Sequence, residues 1–185
     1  MSLSMNSRES FEVHEAGAAR AAGIEDFINT HSRALLRSAW LLTGNWASAE
    51  DLVQTALVVA WQRWNSIEAD DPMAYVRRVL VNAYLRGQRR RWTLERPVAE
   101  VPDQETVDET SASDVRASVR AALAQLPPKQ RAVVVLRYFN DMSEAQTASA
   151  LGCSIGNVKS QSSRALAKLR SAPGLQGLLE EATHG

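Results

Sequence analysis

A chain of 185 residues with 45% hydrophobic content has apolar material for one medium domain or two small ones, each with its own core. Its 21 Lys and Arg residues balance 21 Asp and Glu, so the chain is no polyelectrolyte, and any affinity for nucleic acid must come from local patches. No apolar run approaches transmembrane length and the N-terminus lacks a signal-peptide pattern, which predicts a cytoplasmic protein with no membrane insertion.

In chain order, residues 1–22 mix Ser, Glu, Ala and Arg with few large apolar groups and read as a disordered or weakly helical tail. From Ile24 the pattern sharpens. Ile24, Phe27, Ile28, His31, Leu35, Ala39 and Leu42 recur at three- and four-residue steps, predicting a core-facing helix that ends near Thr43-Gly44. A second helix is expected from Ser48, with Glu50 and Asp51 in its first turn, where carboxylates favour the positive helix end. Ala49, Leu52, Val53, Ala56, Leu57, Ala60, Trp61 and Trp64 form its apolar side; Asp51, Gln54, Thr55, Val58 and Gln62 form the outer one.

Residues 65–71, NSIEADD, break the periodicity, and Pro72 suits the first position of a third helix running to about Arg91. Met73, Val76, Val79, Leu80, Ala83 and Tyr84 mark its apolar side, while Arg77, Arg78, Arg86, Arg89, Arg90 and Arg91 crowd the rest. Such a helix, with Trp92 following, suits a strand of nucleic acid, because arginine meets phosphates and rings stack on exposed bases. A solvated, calmodulin-target-like or membrane-surface helix accounts for the same residues equally well.

Residues 96–113 hold two prolines, several acids and almost nothing to bury, and are expected to be a flexible acidic linker. Asp114 opens a second helical domain whose first helix carries Val115, Val119, Ala122, Leu123 and Leu126. Pro127-Pro128 stops that helix and starts another, Lys129 to Phe139. Next come a short helix from Ser143 to Leu151, with Ala145, Ala148 and Leu151 at helical spacing, and a glycine at 152. Ser154 then caps a longer helix whose buried side is expected to be Ile155, Val158, Ala165, Leu166 and Leu169. Two helices joined by a tight glycine turn make a helix-turn-helix, with small Ala148 at the crossing. The polar face of its second helix offers Asn157, Lys159, Ser160, Gln161, Arg164 and Lys168 to base edges and phosphates. An ordinary helical hairpin with a solvated face is the plainer alternative. Cys153, the only cysteine, reads as a packed thiol in the turn, and residues 173–185 as a tail.

No catalytic constellation emerges, so the chain is read as a non-enzyme without cofactor or metal. His14, His31 and His184 are scattered, and Glu50-Asp51, as neighbours on a helix, point about 100° apart with no third ligand.

Taken together, these stretches resemble a group 4, extracytoplasmic-function (ECF) sigma factor of the bacterial sigma-70 family, over roughly residues 24–170. LLRSAWLLTGNWASAEDLVQTALVVAW and DPMAYVRRVLVNAYLRGQRRR resemble region 2. ALAQLPPKQRAVVVLRYFNDMSEAQTASALGCSIGNVKSQSSRALAKLR resembles region 4. The resemblance implies an all-α fold of two small domains: a region 2 bundle at 23–95 and a region 4 helix-turn-helix at 114–172. It implies that the chain lends promoter recognition to core RNA polymerase and touches both double-stranded and melted promoter DNA. Glu50, Asp51 and Gln54 would dock on the polymerase clamp. Arg77, Arg78, Asn82, Arg86, Arg89 and Arg90, with the loop before them, would handle the minus-ten element. The helix from Ser154 to Lys168 would read the minus-thirty-five element. An anti-sigma factor is a further partner the resemblance allows. Departures from the family pattern are Thr55 for a common acid, Arg86 for Asp, Gln161 and Ser162 for Arg and an apolar residue, and Thr147 for isoleucine. The competing reading is a helix-turn-helix regulator that acts without polymerase.

One helix-turn-helix on a neutral chain should bind DNA weakly, near the nonspecific range of roughly 10⁻⁴ to 10⁻⁶ M. Linking two weak readers through a larger assembly repairs this. About eighteen linker residues extend to roughly 60 Å, close to the rise of a promoter spacer, whereas relaxed they span only about 25 Å.

Overall fold

Helix α1 (Met5–Thr43) starts well before the expected Ile24. The computed structural model describes residues 5–67, 71–93 and 111–172, with side chains from residue 22 onward except at 91, 92 and 111–114. The earlier start has a physical reason: residues 8–22 hold no proline and many Ala, Glu and Arg, so their helical preference extends the helix even without a large apolar stripe. Residues 1–4, the linker core at 94–110 and the tail at 173–185 lie outside the described residues.

Gly44, at φ +71°, reverses the chain after α1. Asn45 then caps α2 (Trp46–Gln62), its side-chain oxygen accepting from the Ser48 N–H at 2.9 Å. The cap is therefore Asn45 and not Ser48, which leaves Glu50 and Asp51 in the second turn. So short a connection sets α1 and α2 side by side, and buried Ala39, Ala49, Ala56 and Ala60 let helices approach closely. The single turn α3 (Trp64–Ile67) drops Trp64 edge-on against Phe27, with ring centroids 5.3 Å apart. His31 lies tilted against the same Phe27 ring, with centroids 4.7 Å apart.

Asp71 accepts from the Ala74 N–H at 2.9 Å and Pro72 occupies the first turn, so α4 (Pro72–Thr93) begins where the sequence predicts. Helix α5 (Ser111–Ala124) starts three residues before Asp114. The expected Lys129–Phe139 helix is two pieces: α6 (Pro128–Val134) and a π-helical turn at Val135–Phe139. In that turn the Asn140 N–H reaches back to the Val135 carbonyl at 3.1 Å. Helices α7 (Glu144–Leu151) and α8 (Ile155–Arg170) complete the order.

Burial follows the expected stripes except at Trp61, Val115, Ala145 and Ile155, which are exposed. Each lies at the margin of its stripe, where helical rotation carries it towards solvent. The two halves are not separate globules. Leu123, Leu126, Val134, Leu136, Met142 and Ala150 join Leu35, Leu42, Val76 and Leu80 in one buried cluster. The second half keeps only a small core of its own, Val133, Ala148 and Val158, with Leu151 and Cys153 against it.

Candidate nucleic-acid interface

The helix-turn-helix is built from paired local hydrogen bonds. Ser143 and Gln146 form a reciprocal capping box: the Gln146 N–H donates to Ser143 Oγ at 3.1 Å and the Ser143 N–H donates to Gln146 Oε1 at 2.7 Å. Gly152, at φ +62°, ends α7, and the Cys153 N–H donates to the Ala148 carbonyl at 3.0 Å. Ser154 Oγ accepts from the Asn157 N–H at 3.2 Å and opens α8. The Ser154 hydroxyl is thus engaged as a helix cap.

Asn157, Lys159, Ser160, Arg164 and Lys168 are all exposed on α8. Gln161 is half-buried and faces a groove of about 570 Å³ that it shares with Leu85 and Arg89 of α4 and with Pro127, Pro128 and Lys129. Lys159 Nζ lies 3.6 Å from Glu144 Oε2, both side chains open to solvent, so the pair stabilises little and leaves the ammonium free to exchange partners.

On α4 the predicted residues divide. Arg78, Arg86, Arg89 and Arg90 are exposed; Arg78 also lines a cavity with Met142 and Ala150, and its guanidinium sits 5.1 Å from the Tyr75 ring centroid. Arg77 and Asn82 are half-buried. Burial pulls the Arg77 pKa down, and Asp71 and Asp141 oppose that shift. The Asn82 amide donates to its own helix at the Arg78 carbonyl (2.8 Å) and across the halves to the Ala150 carbonyl (3.0 Å). The six residues therefore do not form one open surface.

Other polar side chains join the halves. Ser38 Oγ donates to Asn140 Oδ1 at 2.7 Å, and the Arg131 guanidinium donates to the Leu42 carbonyl at 2.8 Å. Sequence reasoning missed Ser38, Arg131 and Asn140. No local signal marks them, since each pairs with a residue about 90 or 100 positions away.

Glu50, Asp51 and Gln54 are exposed together on α2, where Thr55 Oγ1 donates to the Asp51 carbonyl at 2.8 Å. Val58 (58% exposed) and Trp61 (41%) extend that side as apolar surface. Residues 68–70 of the loop before α4 lie outside the described residues. Among the described residues no three His, Cys, Asp or Glu side chains gather to hold a metal, and no helix is long and apolar enough to cross a membrane.

The family description "Sigma-70 region 2" matches residues 27–93, and "Sigma-70, region 4" matches residues 116–169. The RNA polymerase sigma-E factor of Streptomyces avermitilis is 45% identical over 148 residues, covering 79% of this chain and 82% of that one. The ECF RNA polymerase sigma factor SigL of Mycobacterium tuberculosis is 36% identical over 165 residues, covering 85% and 93%. Among solved structures, the sigma factor RpoE of Bartonella quintana, in complex with the anti-sigma factor NepR, superposes with a TM-score of 0.62 at 27% identity, covering 80% and 94%. Two matched regions in family order, with relatives 36% and 45% identical over most of both chains, make this chain a member of the sigma-70 family, among its ECF sigma factors.

Proposed function

We propose that this chain binds core RNA polymerase and directs it to a class of promoters, with region 2 engaging the melted minus-ten element and region 4 reading the duplex minus-thirty-five element. The observation that carries the reading is the pairing, in one chain, of a capped helix-turn-helix with an exposed polar stripe and an arginine-lined α4. Asn157, Ser160, Gln161 and Arg164 lie within two turns of α8, the length of helix a major groove accepts. Arg78, Arg86, Arg89 and Arg90 supply phosphate contacts along the opened strand. Glu50, Asp51 and Gln54, beside Val58 and Trp61, supply a surface that is charged at one end and apolar at the other for the polymerase clamp. These are binding groups, so the chain acts as a cytoplasmic, non-catalytic subunit. An anti-sigma factor, as in the Bartonella complex, is a further partner.

Minus-ten recognition by Asn82 requires region 4 to lift from α4, since its side-chain amide is bonded to the Ala150 carbonyl. Polymerase does this by holding the two regions a promoter spacer apart. X-ray scattering tests it: the free chain should be compact and the polymerase-bound chain extended, and one unchanging shape in both states would refute the idea. The function itself is tested by sequencing transcripts made by core polymerase with and without this chain. Starts that appear only with it, downstream of a shared two-part motif, are the expected result.

A further inference from the structure

Ser162 is an oddity on α8: a polar side chain only 9% exposed, on the inner face of a helix whose other buried residues are Val158 and Ala165. All three are small, so apolar contact by itself holds the middle of α8 loosely against the domain. The Ser162 hydroxyl pairs with the Tyr138 hydroxyl at 2.9 Å. Tyr138 belongs to the π-helical turn Val135–Phe139. An i→i+5 turn holds one more residue than an α-turn, so Tyr138 leaves the buried stripe of Val133–Leu136 and is 47% exposed. Arg137 stays with that ring, its guanidinium 5.9 Å from the centroid, and is itself tied to the Met142 carbonyl at 2.6 Å.

We propose that Tyr138 is a positioning residue for promoter reading: through Ser162 it fixes the roll of α8 about its own axis. The proposal rests on α8 being the upstream-element reader. A helix is about 10–12 Å across with its side chains, so a roll of about 20° moves the reading atoms by about 2 Å. That exceeds the tolerance of a hydrogen bond to a base edge but hardly affects contact with a phosphate. The brace therefore acts on selectivity more than on affinity, and Gln161 and Arg164, on either side of Ser162, are the residues it aims.

The test uses polymerase holoenzyme formed with the full chain, selected on a promoter library with a randomised upstream element, alongside thermal melts of the free chain. Y138F and S162A should each lower the preference for selected over scrambled upstream elements by roughly three- to tenfold, the range of one neutral hydrogen bond. The double variant should lose no more than either single one, and S162T, which keeps the hydroxyl, should retain the preference. Basal binding to scrambled DNA and its salt dependence should not change. Unchanged preference in both single variants overturns the proposal. So does a loss with Y138F alone, because buried Ser162 cannot touch DNA and Tyr138 would then be a direct contact. A selectivity loss that merely tracks the melting temperature overturns it as well. A wild-type holoenzyme indifferent to the upstream element overturns the reading of α8, and the brace with it.

Discussion

Thr147 illustrates how much a single hydroxyl can matter in a small domain. It is fully buried on α7, and its Oγ1 has no hydrogen-bond partner. A buried donor left unsatisfied costs about 1–3 kcal/mol. Thr147→Val removes the hydroxyl at equal volume and is expected to stabilise the chain by about 1 kcal/mol, raising the melting temperature by about 2–4 °C for a protein of this size. Calorimetry checks this, and an unchanged or lowered melting temperature would mean the hydroxyl is satisfied in solution. Asp51 is the opposite case, an exposed residue on α2. Asp51→Lys should leave stability within about 0.5 kcal/mol, as surface substitutions do. It should reduce polymerase binding at least tenfold in a pull-down titration, because it reverses the charge of the proposed clamp surface.

At the scale of elements, the helix-turn-helix depends on its turn. Gly152 sits at φ +62°, and a Cβ there would meet nothing within 4 Å, so any cost of substitution lies in the backbone alone. Gly152→Ala is expected to cost about 1 kcal/mol and Gly152→Asn less, since asparagine enters the left-handed region more readily. Denaturant melts of the two variants measure the difference; equal losses would point to a contact instead of a conformation. Such features were legible beforehand because they are local: a serine three residues before its partner, a glycine after the last turn, a proline at the first. The widened turn at Val135–Phe139 was not legible, because VLRYF fits an α-helix as well as a π-turn and what re-aims it is contact with α8.

For the whole molecule, the decisive feature is that regions 2 and 4 close on each other. Ala150 is 4% exposed, and its carbonyl accepts from Asn82 across the boundary. It lies outside the small core of Val133, Ala148 and Val158 that region 4 keeps for itself. Ala150→Arg should therefore part the halves while each remains helical. Scattering should show the radius of gyration rising from near the about 16 Å expected of a globule of this length, with the circular dichroism unchanged. An unchanged radius would place the closing contact elsewhere.

What the chain determined by itself was nearly every helix of the sigma-70 pattern, the turn chemistry and the outward face of α8, because these follow from periodicity and caps acting over a few residues. The depth at which a residue lies between two halves is a different kind of quantity. Asn82 and Arg86 stand one turn apart on the same basic amphipathic helix, yet Asn82 bonds to the Ala150 carbonyl of region 4 while Arg86 is exposed. Ser38 and Asn140 are ordinary polar residues until α1 and the turn before α7 bring their side chains within 2.7 Å. Such contacts depend on how two amphipathic surfaces bury their remaining apolar area, and only the tertiary structure decides that.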